Sequence, residues 1–172
     1  MPPVIVNPLS LADADSFLQA VHRSTGLHAG LVEPPTTQVA FQKYLNPDQQ
    51  VCLKFAVRNG EGDLVGVVNI NAIIRGAFQN GCLGFYAFVP HNGRGYMRAA
   101  LVELITCAFR EHGLHRLEAN IHPENLRSCS LVESLGFRLE ALSPRYLRVA
   151  GIWCDHKRYA LTAEEWPQDG AT

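Results

Sequence analysis

A glycine-bracketed turn between two regular segments constrains the fold of this chain more than any other feature. The turn runs from Pro90 to Tyr96, and in it Gly93 and Gly95 flank Arg94. Residues 83–89 before it alternate as a strand does, and the residues after it repeat apolar side chains at helical spacing. Glycine allows positive φ and close approach to a ligand, and a helix start presents unpaired N–H groups to an anion. The pattern therefore predicts either a phosphate-binding turn or a purely structural one.

Composition indicates a globular protein from a reducing compartment. The 172 residues are 47% hydrophobic and 18% charged with a net charge of −1, so a substantial core can form and no basic block is present for nucleic acid. The five cysteines form no C-x-x-C pair, which argues against a disulfide framework. No apolar run reaches the roughly 20 residues of a spanning helix, and the first residues lack a secretory pattern. We expect a cytoplasmic protein with no nucleic-acid or membrane partner.

Hydrophobic periodicity divides the rest of the chain into strands and helices. Strands are expected at residues 1–8, 51–58, 64–71, 81–89, 116–122, 137–142 and 153–161. Helices are expected at 12–22, 38–45 (ending before Asn46-Pro47), 97–109 and 125–135. The loop 24–37 is too apolar for a solvated linker, which predicts that it packs over another part of the protein, such as a substrate cleft.

This order of elements predicts a mixed sheet in one domain. Hairpin-linked antiparallel strands followed by strand, helix, strand, helix and strand give an α/β (α+β) fold whose central crossover is parallel. Ligands of such sheets favour the carboxyl end of the strand before the turn. We expect the domain to span residues 5–166, with 167–172 as a frayed tail.

Four sequence elements, in order, resemble those of the GNAT acetyltransferase superfamily. Residues 90–95 are similar to its acyl-CoA loop Q/R-x-x-G-x-G/A, with proline at the first position. Asn125-Leu-Arg-Ser128 resembles its N-x-x-S element, and Leu135-Gly-Phe137 resembles its helix ending. Residues 146–156 are similar to the Y-L-x-I-x-G-x-W-x-D-H stretch of the RimJ/RimL type, the ribosomal-protein N-terminal acetyltransferases. The resemblance implies a mostly antiparallel six- to seven-stranded sheet with a splayed central parallel pair and about four flanking helices.

The resemblance also implies acetyl-CoA as co-substrate. Backbone N–H groups from His91 to Tyr96 are expected to hold the pyrophosphate. The strand end at Phe88 and Val89 is expected to pair with the pantetheine amides as an added strand does, and a nearby N–H to meet the oxyanion. The expected cofactor-binding residues are Phe88, Val89, His91, Asn92, Gly93, Arg94, Gly95, Tyr96, Asn125 and Ser128.

Transfer requires a neutral amine, because a protonated one has no lone pair. An N-terminal α-amine, with a pKa near 8, loses its proton more easily than lysine, with a pKa of about 10.4. Ser128 is the candidate donor to the leaving thiolate beside Asn125, and the alternative is a surface hydroxyl beside a helix cap. Glu118 is the candidate base, or alternatively a carboxylate paired with an arginine. Tyr86 and His156 are further candidates for the base.

Three functions fit these patterns. The first is an N-acetyltransferase acting on a protein N-terminal α-amine, such as a ribosomal-protein alanine, by direct transfer in a ternary complex. The second acetylates a small amine such as an amino acid, polyamine or aminoglycoside, and the third is a non-catalytic acyl-CoA sensor. A metal site is not expected, because His112 and His115 straddle a glycine and no metal-ligand motif is present. Both a monomer and a homodimer remain open.

Overall fold

A seven-stranded mixed sheet forms the centre of the molecule. The computed structural model describes residues 1–45 and 51–167. The strands are β1 (Ile5–Pro8), β2 (Leu53–Arg58), β3 (Leu64–Ile74), β4 (Asn80–Ala87), β5 (Arg116–Ile121), β6 (Arg138–Val149) and β7 (Ile152–Thr162). Their order across the sheet is β1-β2-β3-β4-β5-β7-β6, and every neighbouring pair is antiparallel except β4 and β5. The expected mixed, mostly antiparallel sheet is confirmed.

Within the described residues, five α-helices and one 3-10 turn accompany the sheet. The helices are α1 (Ala14–Arg23), α2 (Thr25–His28), α3 (Gln38–Tyr44), α4 (Tyr96–Arg110) and α5 (Leu126–Ser134), and the 3-10 turn is Leu11–Asp13. The sequence missed α2, a single turn inside the apolar loop, because four residues carry no periodicity. The predicted break at Asn46-Pro47 and the predicted tail after Pro167 lie outside the described residues. None of the described helices is both long and apolar enough to cross a membrane.

Packing on both faces of the sheet explains the continuous apolar runs in its strands. Neighbouring residues such as Ala56 and Val57 are both buried but belong to different hydrophobic clusters. One cluster includes α4 and α5, and the other includes α1 and α3. All of residues 64–70 are buried, as expected for a strand covered on both sides.

The parallel pair β4 and β5 separates along its length. Their register ends at Leu83 opposite Ala119. Beyond that point β4 continues to Ala87 along β3, and β5 continues to Ile121 along β7. The sheet therefore opens between the carboxyl ends of its two central strands.

The loop 24–37 packs over this opening, as its apolar composition predicts. Its Ser24 hydroxyl accepts a hydrogen bond from the Val89 N–H at 3.0 Å, and the His28 ring donates from Nε2 to the Ala87 carbonyl at 2.8 Å. The Glu33 carboxylate accepts from the Ala150 N–H at the tip of the β6–β7 hairpin at 2.8 Å. The loop is thus fixed to both sides of the opening.

Candidate active site

A cavity of about 630 Å³ lies where β4 and β5 separate. It is lined by the 24–37 loop, the carboxyl ends of the central strands, the glycine turn, the start of α5 and one residue of β7. This is the edge of the sheet at which the sequence predicts a ligand. The cavity therefore gathers residues that lie up to about 130 positions apart, from Leu27 to His156.

The glycine turn has the geometry of an anion cradle. Gly93 and Gly95 have φ of +77° and +84°, and Gly95 is the N-cap of the 15-residue helix α4. The N–H groups of residues 92–95 make no hydrogen bond within the described part of the chain. A Cβ at Gly93 would meet no atom within 4 Å, so the space above the turn is open. Unpaired amides at the positive end of a helix dipole suit a phosphate group.

One predicted donor of the turn is occupied. The His91 N–H donates to the Phe88 carbonyl at 2.9 Å, so the amides open to a phosphate begin at Asn92. The His91 ring still lines the cavity, whereas Arg94 is exposed and does not. Arg98, one turn into α4, lines the cavity instead. Of these two arginines, Arg98 is the one that brings positive charge to the cavity lining.

The open edge of β4 lies earlier than the sequence predicts. Phe88 and Val89 do not line the cavity, and their N–H groups already donate to the Val65 carbonyl and the Ser24 hydroxyl. Along a strand, the N–H and C=O groups of alternate residues point to opposite sides. The backbone N–H of Phe88 points towards β3, where it donates to the Val65 carbonyl. The backbone N–H and C=O groups of Phe85 and Ala87 therefore point to the other side, towards the opening. The unbonded strand edge therefore lies at these two residues, and the pairing expected at Phe88 and Val89 stays a prediction.

The start of α5 also lines the cavity. Asn125 is the N-cap of α5, and its Oδ1 accepts from the Ser128 N–H at 3.2 Å. Asn125, Arg127 and Ser128 all line the cavity. Asn125 is therefore a helix cap that also contributes to the cavity wall. Arg127 is a cavity residue that sequence reasoning missed, although it lies inside the recognised N-x-x-S element.

Glu118 does not reach the cavity. Its side chain is 9% exposed and lies 3.0 Å from the Arg116 guanidinium and 3.4 Å from that of Arg158. Asn120 and His122, on the same face of the strand, do line the cavity. Glu118 is therefore a carboxylate paired with arginines, the second of the two interpretations offered by the sequence, and it does not line the cavity.

Two tyrosines form a buried polar cluster on the wall of the cavity. The Tyr86 and Tyr44 hydroxyls are 3.2 Å apart, and the Asn69 amide donates to Tyr44 at 3.3 Å. Burial raises the pKa of both phenols, that of Tyr86 well above its ordinary value of 10. Both rings therefore stay protonated at neutral pH, which disfavours Tyr86 as a base. Sequence reasoning missed Tyr44 and Asn69, because they approach the cavity only through tertiary contact.

Three histidines of the cavity wall have defined hydrogen bonds. Burial lowers the pKa of His28, whose Nε2 donates to Ala87. His156 is 4% exposed, and its Nδ1 lies 3.0 Å from the Cys154 carbonyl. His122 Nδ1 accepts from the Glu124 N–H at 3.3 Å. The centroids of the His122 and His156 rings are 6.1 Å apart and their planes meet at 83°.

The fold agrees with the one that the sequence motifs imply. The family model of the acetyltransferase (GNAT) domain matches residues 4–138, and the chain belongs to the GNAT acetyltransferase family. The resemblance drawn from the motifs is thereby confirmed.

Named relatives include a ribosomal-protein acetyltransferase. The chain is 37% identical over 106 residues to the [Ribosomal protein uS5]-alanine N-acetyltransferase of Escherichia coli, covering 62% of this chain and 55% of that protein. It is 34% identical over 122 residues to "Probable N-acetyltransferase YjcK" of Bacillus subtilis, covering 70% and 66%. The match thus spans between half and two thirds of these relatives. The solved structure of Mycobacterium smegmatis RimJ in complex with CoA-disulfide superimposes with a TM-score of 0.89 at 28% identity, covering 97% of this chain and 85% of that one.

Proposed function

We propose that this chain is an acetyl-CoA-dependent N-acetyltransferase whose acceptor is a protein N-terminal α-amine, of the ribosomal-protein alanine type. The proposal covers a single catalytic domain at residues 5–166 acting in the cytoplasm. The observation that carries it is one continuous cavity that joins an anion cradle at Gly93 and Gly95 to a splayed strand edge at Phe85 and Ala87.

The parts of acetyl-CoA match successive parts of this cavity. The amides of residues 92–95 and the dipole of α4 suit its pyrophosphate. The β4 edge beyond Leu83 pairs with no strand, although the Ala87 carbonyl already accepts from His28. This edge suits the pantetheine amides, which can bind as an added strand does. When bound, acetyl-CoA supplies an acyl group activated as a thioester. The named RimJ relative was solved as a CoA-disulfide complex, which supports this part of the proposal.

The start of α5 supports a proposed role in meeting the leaving group. The Ser128 hydroxyl lines the cavity, and the hydrogen bond from its backbone N–H to Asn125 fixes the first turn of the helix. We assign Ser128 the donation of a proton to the departing thiolate and Asn125 the positioning of Ser128. Both roles follow from the N-x-x-S resemblance together with this placement.

The charge of the cavity favours a peptide terminus over a polyamine. Among the described lining residues the only carboxylate is Glu33, and it already accepts from the Ala150 N–H. Arg98 and Arg127 add positive charge to the cavity lining. A polyamine carries several positive charges and needs acidic partners, whereas a peptide terminus presents one amine followed by neutral amides. The uS5-alanine relative supports the same acceptor.

One panel of amines tests the proposal. The protein is incubated with acetyl-CoA and peptides that begin with Ala or Ser, a lysine side-chain peptide, spermidine, an amino acid and an aminoglycoside. Thiol release and product mass are measured. We expect acetylation at the α-amine of the Ala and Ser peptides. Transfer to spermidine or another small amine alone would replace the acceptor class, and acetyl-CoA binding without thiol release from any amine would indicate a sensor.

A further inference from the structure

Two histidines of the cavity lining, His122 and His156, are held in opposite tautomers by backbone groups. A carbonyl oxygen can only accept, so the contact of His156 Nδ1 with the Cys154 carbonyl places the proton on Nδ1 and leaves a lone pair on Nε2. A backbone N–H can only donate, so the bond from Glu124 to His122 Nδ1 leaves the proton of the neutral His122 ring on Nε2. One ring therefore offers an acceptor and the other a donor.

The unused nitrogen of each ring is open to the cavity. Both residues line it, and neither Nε2 has a hydrogen-bond partner within the described residues. The buried unpaired nitrogens of His28 and His91 are, in contrast, sealed within the protein. His122 directly follows β5, and His156 lies beside it on β7, next to the carboxyl end of the separated strands. The lone pair of His156 and the N–H of His122 therefore lie next to each other in the cavity lining, where both can contact one acceptor.

We propose that His156 is the general base that takes the proton of the acceptor amine, and that His122 binds the carbonyl oxygen of the acceptor's first residue. This inference rests on the proposed function and names the residues that recognise its acceptor. With ring centroids 6.1 Å apart and hydrogen bonds of about 2.9 Å, the amine and carbonyl of one amino acid can reach both rings. A polyamine has no carbonyl and leaves the His122 donor unpaired, so the pair also selects a peptide terminus.

The step balances without a further reactant. The N–C bond to the acetyl group forms and the C–S bond breaks. One amine proton passes to His156 Nε2 and on to solvent. The electron pair of the broken bond leaves on sulfur, which takes the Ser128 hydroxyl proton, and the serine regains a proton from solvent. His122 forms no covalent bond and acts as a binding residue.

Three side chains lie around the His156 ring. Tyr146 on β6 lies 6.2 Å away between ring centroids, and the Arg158 guanidinium lies 5.3 Å from the centre of that tyrosine ring. His122 faces it from the end of β5. Of the two histidines, only His156 has a backbone carbonyl against Nδ1, which leaves the lone pair of its neutral ring on Nε2.

The first test needs no substitution. In the intact protein labelled with ¹⁵N-histidine, NMR is expected to show the Nδ1–H tautomer for His156 and the Nε2–H tautomer for His122. Adding a peptide that begins with Ala, together with CoA, is expected to shift both side-chain Nε2 resonances. An Nε2–H tautomer at His156, or resonances indifferent to the peptide, would overturn the assignment.

Kinetics of matched variants form the second test. His156→Gln is expected to lower kcat at least about 100-fold for peptide and simple amine alike. The low-pH limb of kcat/KM is expected to disappear, while the Kd of acetyl-CoA measured by calorimetry stays within twofold of wild type. The matched control is His22→Gln on α1, exposed and outside the cavity, which is expected to behave as wild type. An unchanged kcat and pH profile in His156→Gln would refute the role.

The donor role of His122 has its own signature. His122→Leu is expected to lower kcat/KM about tenfold for an Ala peptide but not for an alkylamine without a carbonyl. His122→Gln, which keeps an N–H donor, is expected to restore most of that loss. Equal losses for both amines would refute carbonyl binding. A wild-type protein that binds no acetyl-CoA would instead overturn the proposed function, so the two failures are distinguishable.

Discussion

Substitution of Gly93 separates the cost of backbone strain from the loss of a phosphate cradle. Gly93 has φ +77°, and a Cβ there would meet no atom within 4 Å. Gly93→Ala therefore adds conformational strain without a steric clash. An alanine in the left-handed region costs about 1–2 kcal/mol. For a chain of this size each kcal/mol corresponds to about 2–4 °C in Tm.

The matched control lies at the other end of the same helix. Gly113 has φ +62°, also meets no atom within 4 Å as an alanine, and lies after α4, which at 1.5 Å per residue is about 22 Å long. Gly113→Ala is expected to lower the Tm by a similar amount. It is expected to leave the affinity for acetyl-CoA unchanged, because it is remote from the cavity.

The two variants are expected to differ in their affinity for acetyl-CoA. Relaxation of the turn at Gly93→Ala turns at least one N–H away from the pyrophosphate. A hydrogen bond to a charged group contributes about 1.5–3 kcal/mol, which corresponds to a Kd about 10- to 100-fold weaker. Calorimetry with acetyl-CoA and thermal unfolding of both variants give the two quantities. If both variants lose the same Tm and Gly93→Ala keeps the wild-type Kd for acetyl-CoA, the proposal that the turn binds the pyrophosphate is refuted.

Three further substitutions test other parts of the molecule. Ser128→Ala is expected to lower kcat about 100-fold with an unchanged Kd of acetyl-CoA, and full turnover would remove the proposed proton donor. Glu118→Gln is expected to keep the wild-type pH–rate profile and to lower the free energy of unfolding by about 2 kcal/mol, because Arg116 and Arg158 lose their charged partner. A rate loss confined to low pH would instead make Glu118 a base. Hydrogen bonding to Arg116 lowers the pKa of Glu140 from 4.5 to about 2, so its stabilisation is present above pH 4.5 and is lost as the pH falls through 2. Urea unfolding of wild type and Glu140→Gln is expected to differ at pH 6 and to converge near pH 2, and a constant difference would contradict this.

Much of the fold could be predicted from the sequence, because it depends on patterns among neighbouring residues. Alternation, helical periodicity and the glycines at 93, 95 and 136 are properties of neighbouring residues, and they located the strands, α4, α5 and the parallel crossover. The short helix α2 lies within one turn and has no period to read. The extension of β6 to Val149 depends on its pairing with β7, which no local pattern contains.

Part of the candidate site could likewise be predicted from short sequence motifs, whereas the rest depends on tertiary contacts. The glycine turn and the N-x-x-S element were recognisable because each is a short motif of residues close together in the sequence. The displacement of the open strand edge from Phe88 to Phe85 depends on which amides are already occupied by Val65 and Ser24. The sequence does not record such occupancy.

The sequence alone determined the family of the protein, the order of its elements and the position of the glycine turn, because these rest on backbone preferences within a few residues. Only the tertiary structure decided which side chains meet at the cavity. It pairs Glu118 with two arginines away from the cavity lining, and it gives the Nδ1 atoms of His122 and His156 opposite backbone partners. The physical reason is that burial and hydrogen-bond partners, which set whether a group can accept or donate a proton, arise from contacts between distant parts of the chain.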